Sequence, residues 1–587
     1  MRYPLRIINS SVTGRPNAFN PRFCPALGRR GILLALLIFL QSVLPVEAKK
    51  KHRRKFLKAI KVHAITVDVR NVFDPSVPGE NNWLFRMANS LHIPTKPSVI
   101  RRELLVYPGD WTDLERLAES ERDLRTLPFI KEARIVQTTT PDGAVDLLVK
   151  TQDSWTTQPQ LNIASEGGQT SYSAGFEEVN LLGYGKDVTY LYKKNVDGLS
   201  HVLGYNDPQF LNTRMRLTSS FQDIPTGNVQ DVKLERPFYS LTTRAAAGGS
   251  FDHSQALQKI YQGGQQINQY DQEHLSLSPY AGLWVNNDPL NVLRLQVNYR
   301  YTEDVYRAQS ITAPGSLPAA KALSGPIMSS SFIQSDFIKD TFVDRAGRVE
   351  DINLGHQSYA GVGYVDRNLG ATENSVPFAV NDGFGFGGNG PWFGLVSYGT
   401  SSRYRLYTEG QTAGRLFNAI YFANFNYYRH LLEDFPMTGV VHLESAYLQN
   451  PDTDNVLSLG GDTGLRGYKI NSFTGNKSIL FNMEDRFYFP QEFLHLAYMG
   501  GAIFLDAGQV QPEGVGYNAK GTHADVGLGM RFGLSRSADG TVFRVDLAYA
   551  IGPVQQSNRW ILSISTAQGF RQSANTYANF PSPATTQ

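Results

Sequence analysis

Hydrophobic and polar residues alternate along most of the C-terminal two-thirds of the chain, which is the period of a β-strand with one apolar face. The clearest segments are Leu293–Tyr301, Phe417–Tyr427, Ile479–Phe489, Val526–Phe532 and Phe543–Tyr549. No convincing helical period occurs after Trp155. Such a series of strands predicts either a sandwich in water or a closed barrel in lipid, where the apolar faces turn outward.

The pattern before these strands is different and predicts a small α+β domain over residues 63–153. The elements are a strand at Ala64–Val69, a helix at Asn82–Asn89, a connecting segment at Ile100–Leu105, a second helix at Thr112–Leu127, and a hairpin of Ala133–Thr139 with Ala144–Lys150. This order resembles a polypeptide-transport-associated (POTRA) domain. The alternative is an unrelated small α+β domain. An exposed strand edge of such a domain could bind extended chains by strand addition.

The N terminus carries an apolar core, Gly31–Leu40, which follows Arg29 and Arg30 and precedes the small-x-small run Val46-Glu47-Ala48. We interpret residues 1–48 as a secretory signal peptide. The alternative, an uncleaved anchor, is less well supported because a bilayer needs about 20 apolar residues. The basic run that follows, within 49–62, is read as a solvated linker, with lipid attraction as the alternative. Export favours the barrel over the sandwich.

Composition alone resembles that of a soluble protein. The 587 residues are 41% hydrophobic, with a mean hydropathy of −0.29. A barrel gives the same average, because its lipid-facing and lumen-facing residues alternate. The net charge of +3 gives no reason to expect a nucleic-acid partner. The single cysteine, Cys24, lies before the apolar core, so the mature chain suits an oxidising compartment.

The most informative stretch is a glycine-rich loop and the two strands that follow it. The loop, Leu459–Tyr468, contains four glycines and one cation, Arg466. The next strand puts Asn482, Glu484 and Arg486 on its polar face, and the strand after it pairs Phe504 with Asp506 on one face. Two inward carboxylates are therefore expected close to one loop arginine.

Two runs in this stretch resemble motifs of the BamA/TamA superfamily of outer-membrane assembly barrels. They are Gly464-Leu465-Arg466-Gly467-Tyr468, which is similar to the motif of the inward-folded loop, and Phe504-Leu505-Asp506-Ala507-Gly508, which is similar to a Phe-x-Asp-x-Gly strand motif. The resemblance implies a barrel of 16 antiparallel strands with periplasmic POTRA domains. It also implies that the loop arginine pairs with the strand aspartate inside the lumen. From the residues themselves we expect Glu484 to join Arg466 and Asp506 in a structural ion network; the alternative is that Glu484 and Asp506 are paired carboxylates for acid–base work.

Five strands are predicted after the loop, at 476–489, 495–506, 521–533, 541–551 and 558–567, as the family position of the loop requires. Thirteen candidates precede it where the family has eleven. Either two of them belong to long external hairpins or the barrel is larger than the family pattern; we expect 16 strands in all. The segments 308–340 and 368–390, rich in small residues, are expected to be external loops. The barrel is placed at 154–570, followed by a tail over 571–587.

The resemblance implies an outer-membrane protein that assembles, inserts or translocates other proteins, with its N-terminal domain in the periplasm. The expected partners are outer-membrane lipid and unfolded client proteins, with periplasmic chaperones or assembly subunits as candidates. We expect no enzyme activity, catalytic residues, metal or cofactor. The dinucleotide-like run Gly383–Gly388 lacks the required helix, and Asp452, Asp454 and Asp462 suit an acidic turn better than a calcium site. A passive channel and a dedicated exoprotein secretion pore are the alternatives.

Overall fold

The computed structural model describes residues 59–166, 169–195, 198–262, 265–309, 312–406, 416–451, 456–538, 542–552 and 558–566. The predicted signal peptide, most of the basic linker and the C-terminal tail lie outside these residues, as do Asp452 and Asp454. Among the described residues, no helix has the length and apolar character needed to cross a bilayer.

The N-terminal domain is a four-stranded sheet with three helices. Its elements are β1 (Ile60–Arg70), α1 (Trp83–Leu91), α2 (Pro97–Glu103), β2 (Trp111–Thr112), α3 (Leu114–Thr126), β3 (Ile130–Thr139) and β4 (Val145–Asp153). The strand order is β2-β1-β4-β3, with β1 parallel to β4. The core includes Ile100, Leu124 and Phe129, all fully buried. The structure adds α2 where the sequence analysis expected a connecting segment, and β1 starts before the predicted boundary at 63.

A closed antiparallel barrel follows this domain. Its strands are β5 (Thr157–Glu166), β6 (Gln169–Glu178), β7 (Asp187–Asn195), β8 (Gly198–Phe210), β9 (Met215–Ile224), β10 (Gly227–Arg236), β11 (Ala245–Gln262), β12 (Gln265–Leu277), β13 (Tyr280–Trp284), β14 (Asn291–Ala308), β15 (Lys321–Gln334), β18 (Gln357–Gly363), β19 (Ser375–Gly387), β20 (Trp392–Arg405), β21 (Leu416–His430), β22 (Met437–Gln449), β25 (Lys477–Tyr488), β26 (Ala497–Gln511), β27 (His523–Leu534), β28 (Val542–Ile551) and β29 (Trp560–Thr566). The predicted barrel fold is confirmed.

The expected number of 16 strands is wrong. Strands β12 and β13 share one position between β11 and β14, so the described strands fill 20 positions around the barrel. Five follow the glycine-rich loop, as predicted, but 15 precede it. Some of these strands carry polar residues on both faces and are therefore hard to detect by alternation. In Gln265–Leu277, only the last three residues alternate between apolar and polar side chains.

Two segments expected to be external loops contain barrel strands. Lys321–Gln334 forms β15, and Ser375–Gly387 forms β19. Small residues in these strands allow close packing. For example, a Cβ on Gly385 would lie 2.5 Å from Cδ2 of Leu354, so the glycine leaves room for the leucine side chain. Between β15 and β18, strands β16 (Phe337–Thr341) and β17 (Val349–Asn353) form a separate hairpin outside the barrel sheet.

The two faces of the barrel differ as the alternation predicts. Outward residues such as Ile503, Leu528 and Leu562 expose about 60% of their surface, whereas inward Glu484 and Asp506 are fully buried. An apolar outer face that closes on itself is the arrangement that lets strands cross a bilayer without unpaired backbone groups. The barrel is therefore built to span a membrane.

The N-terminal domain lies across one opening of the barrel, which we call the domain end; the opposite opening is the far end. The domain contacts turns spread around the rim: Lys96 N–H donates to Gly183 O at 2.9 Å, and Leu241 N–H donates to Glu119 Oε1 at 2.6 Å. On the opposite side of the rim, Arg536 pairs with Glu80 at 2.6 Å. These contacts hold the domain over the opening.

Candidate functional site in the barrel lumen

The glycine-rich loop folds from the far end into the lumen. It begins and ends with a two-stranded sheet, β23 (Leu457–Leu459) and β24 (Phe473–Gly475). Gly464 has φ +108°, and a Cβ there would lie 2.2 Å from Leu480 Cδ2. Gly467 lies so close to the wall that a Cβ would be 2.5 Å from Asp525 Cβ. Side chains at these two positions would prevent the loop from reaching its place.

The loop carries Arg466 to a buried position against β25 and β26. Its Nε and Nη2 donate to the two carboxylate oxygens of Asp506, at 2.8 and 2.9 Å, and its Nη1 donates to Glu484 Oε2 at 2.6 Å. The guanidinium also stacks on Phe504, with Cζ 3.5 Å from the ring centroid. The planar guanidinium donates two parallel hydrogen bonds to one carboxylate. Lysine cannot reproduce this bidentate geometry with its single ammonium nitrogen.

Glu484 connects this pair to a wider network. Its second oxygen accepts hydrogen bonds from Arg486 Nε at 3.0 Å and from Arg531 Nη2 at 2.9 Å. Arg531 also donates to Asp546 Oδ1 at 2.5 Å. Because each charged group here has at least one opposite partner, the cost of burying it is offset. Among the described residues, the buried Asp506 has its one ion pair with Arg466, so removal of Arg466 would leave that carboxylate uncompensated.

The rest of the loop is held by an apolar contact and by two hydrogen bonds from one side chain. Leu465 is fully buried and packs in a cluster with Leu459 and Tyr468. The Tyr468 hydroxyl donates towards Ala524 O and Ile551 O, each at 3.1 Å. These contacts fix the loop on both sides of Arg466, so its position does not depend on the ion pairs alone.

The network continues to the domain end through the hairpin between β16 and β17. Arg486 Nη1 donates to Val343 O, in the turn of that hairpin, at 2.9 Å. In β17 of the same hairpin, Asp351 accepts two hydrogen bonds from Arg125 of α3, both at 2.8 Å. A continuous set of contacts therefore runs from the N-terminal domain, through the hairpin and Glu484, to Arg466 on the loop.

The junction between domain and barrel contains a second buried polar cluster. Asp153, the last residue of β4, accepts a hydrogen bond from Thr95 N–H at 2.7 Å, and His92 Nε2 lies 3.9 Å from the same carboxylate. Burial raises the pKa of Asp153 to about 7, and burial lowers the pKa of His92. Both groups are therefore favoured in their neutral forms at this joint.

One set of side chains among the described residues has the spacing of a metal site. Glu80, Glu492 and His495 lie at the domain end with ligand atoms within 4.8 Å of one another. The guanidinium of Arg536 bonds to Glu80 at 2.6 Å and to Glu492 at 2.9 Å. The positive charge that these carboxylates need is thus supplied by the protein.

The structure brings the predicted loop and strand residues together. Arg466, Glu484, Phe504 and Asp506 are in direct contact, and Gly508 lies beside the loop, where a Cβ would be 2.9 Å from Leu459 Cδ1. Sequence reasoning did not assign the other members of the network, which are Asn482, bonded to Asp506, Arg544, bonded to Asp546, and Arg486, Arg531 and Asp546 described above. Alternation identified them as inward, but it gives no information on their depth in the barrel.

No protein-family model matches the chain, and no curated protein matches its sequence. The structure is similar to that of BamA from Haemophilus ducreyi lacking POTRA domains 1–3, at 12% identity and a TM-score of 0.38, over 87% of this chain and 84% of that one. It is also similar to CdiB from Escherichia coli, at 9% identity and a TM-score of 0.42, over 92% and 98% of the two chains.

The FrpB iron transporter from Neisseria meningitidis is a further neighbour, at 10% identity and a TM-score of 0.37, over 85% of this chain and 90% of that one. BamA and CdiB thus stand among the structural neighbours of the chain. Values this low carry no argument about function, so only the residues of this chain can support one.

Proposed function

We propose that this protein assembles, inserts or translocates client proteins at the bacterial outer membrane. The observation that carries the proposal is the bidentate pair of Arg466 with Asp506. It is the pairing that the resemblance of the two motifs to the BamA/TamA superfamily implies. No chemical step is required, because a client strand that closes its backbone hydrogen bonds in lipid gains several kcal/mol per group satisfied.

The elements that lie at the two ends of the lumen support a client-handling role over a passive channel. The loop reaches into the lumen from the far end, and the N-terminal domain and the hairpin lie at the domain end. A diffusion channel needs a permanently open lumen, whereas a client-handling barrel needs one that opens under control. The chain of contacts from Arg125 to Arg466 provides elements that such control can act on.

The N-terminal domain offers a strand edge for an extended client. Strand β3 is at the edge of its sheet, and its C-terminal residues, Gln137–Thr139, are exposed. The N-terminal half of β3 already has a hydrogen-bond partner, because Ile135 N–H donates to Glu121 Oε2 at 3.1 Å. Strand addition would therefore begin at the exposed half, and its extension would displace Glu121 from β3. A dedicated secretion pore would differ from a general assembly factor only in the range of clients.

Depletion of the protein from cells, followed by quantitative proteomics of the outer membrane, tests the proposal. We expect a defined set of outer-membrane or secreted proteins to be lost and to return when wild-type protein is supplied. Arg466→Gln should fail to restore them, whereas Arg429→Gln, at an exposed arginine, should succeed. An unchanged proteome after depletion, or full rescue by Arg466→Gln, would contradict the proposal. Steady ion conductance in liposomes would favour a channel.

A further inference from the structure

A cavity of about 310 Å³ lies at the domain end, between the N-terminal domain and the rim turn that joins β10 to β11. We call it the basic cavity. Four arginines line it: Arg116 from α3, Arg214 before β9, and Arg236 and Arg244 on the two sides of the turn. Tyr239 lies between Arg214 and Arg236, with its ring centroid 4.7 and 5.5 Å from their guanidinium carbons.

The positive charge of the basic cavity is only partly neutralised. Arg214 pairs with Glu103 at 3.0 Å. Arg116, Arg236 and Arg244 form no ion pair within the part of the chain that the structure describes. Arg116 donates only its Nε, to Leu105 O at 2.9 Å, and Arg236 donates one nitrogen, to Ala245 O at 3.3 Å. Several guanidinium N–H groups therefore point to the cavity without an anionic partner.

The donors suit a phosphate group better than a single carboxylate. A phosphate ester presents several acceptor oxygens in different directions, so it can accept hydrogen bonds from more than one guanidinium at once. The hydroxyl group of Tyr239 adds a neutral donor to the same lining.

The position of the basic cavity favours a lipid as the source of that phosphate. Along β10, Val232 and Leu234 face outward and are exposed by 42% and 39%, and Arg236 is the next residue in that outward row. A residue just beyond the outward apolar band of a barrel lies at the level of the lipid headgroups. Tyr107, at the mouth of the cavity, is also exposed, and tyrosine is favoured at this level.

We propose that the basic cavity binds the phosphate group of an anionic membrane lipid and so fixes the N-terminal domain against the bilayer. One ligand would then contact α3 and the barrel rim together. This inference is independent of client handling: the cavity can bind lipid whether or not the barrel assembles proteins.

The test is native mass spectrometry of the full-length protein in a mild non-ionic detergent, titrated separately with dioleoylphosphatidylglycerol, dioleoylphosphatidylcholine and inorganic phosphate. The variant is the triple change Arg116→Gln, Arg236→Gln and Arg244→Gln. An arginine near a membrane surface contributes about 1 kcal/mol, so three should weaken phosphatidylglycerol binding by roughly 100-fold. Folding of each protein is checked by its migration on a gel without heating.

The matched control removes three exposed arginines that have no ion pair among the described residues. They are Arg86, Arg134 and Arg429, the last of which is near the domain end of β21 and faces outward. This control should bind phosphatidylglycerol like the wild type. If the triple variant does not fold, Arg244→Gln alone should weaken binding about five-fold.

Each outcome has a defined meaning. Tight phosphatidylglycerol binding that is weakened in the cavity variant and not in the control variant supports the lipid site. If the cavity variant weakens binding of inorganic phosphate as much as binding of phosphatidylglycerol, the ligand is a free phosphate and the lipid is excluded. Equal losses in the two triple variants would show non-specific charge attraction and overturn the proposal. Absence of phosphatidylglycerol and phosphate binding, or equal binding of phosphatidylcholine, would overturn it as well.

Discussion

Removal of the Arg466 charge should destabilise the folded barrel. Arg466→Gln takes away the bidentate bonds to Asp506 and the bond to Glu484, and both carboxylates are fully buried. The loss of one partner of a buried ion pair costs about 3–5 kcal/mol, because the other charge is left uncompensated. For a barrel of about 400 residues, a loss of 4 kcal/mol corresponds to a fall of roughly 5 °C in the unfolding temperature.

The assay is gel migration of the detergent-solubilised protein after heating at graded temperatures, since folded and unfolded barrels migrate differently. Arg466→Lys keeps the charge but loses the fork, so we expect an intermediate shift. Arg429→Gln is the matched control, because Arg429 is exposed and forms no ion pair among the described residues. If Arg466→Gln and Arg429→Gln unfold at the same temperature, the lumenal network does not stabilise the barrel and the reasoning fails.

Three further predictions concern the hairpin, the loop backbone and the domain joint. Asp351→Asn should weaken the contact with Arg125 and increase protease cleavage of the hairpin in the folded protein; cleavage at the wild-type rate would show that the pair does not hold it. Gly464→Ala should lower the unfolding temperature, because φ is +108° there and the new Cβ would meet Leu480; an unchanged temperature would contradict that packing. The pKa of Asp153 is higher in the folded than in the unfolded state, so the folded domain binds an extra proton and loses stability as the pH rises from about 4 to 7. Asp153→Asn should remove this loss of stability in denaturant titrations at pH 5 and 8; the same pH dependence in the variant and the wild type would refute the role of Asp153.

The parts of the fold that sequence could predict are those in which one strand face is apolar. In β25 to β28, alternation correctly predicted that Glu484, Asp506 and Arg531 face inward. A shift of one residue would turn these charged side chains to the lipid and the apolar ones to the lumen, so one orientation is strongly favoured. The strand number failed where both faces are polar, as in β12. Alternation also could not separate the β16–β17 hairpin from barrel strands, because its place depends on the distant pair of Asp351 with Arg125.

The candidate site was predictable to the extent that a motif marks it. The glycines and the arginine identified the loop, and the carboxylates on the next two strands identified its partners. The contribution of Asp546 depends on how the strands are staggered, since the register that pairs it with Gly529 sets its depth beside Arg531. A single sequence does not contain that register.

Cysteine labelling of the loop tests most directly whether it is held inside the lumen. In a chain whose own Cys24 is replaced by serine, Leu465→Cys probes a fully buried position in the loop. Val456→Cys probes a position just before β23 that is 56% exposed. We expect a membrane-impermeant maleimide to label Val456→Cys quickly and Leu465→Cys very slowly, and Arg466→Gln to accelerate the second reaction. Equally fast labelling of both cysteines beside an intact Arg466 would contradict a loop docked in the lumen.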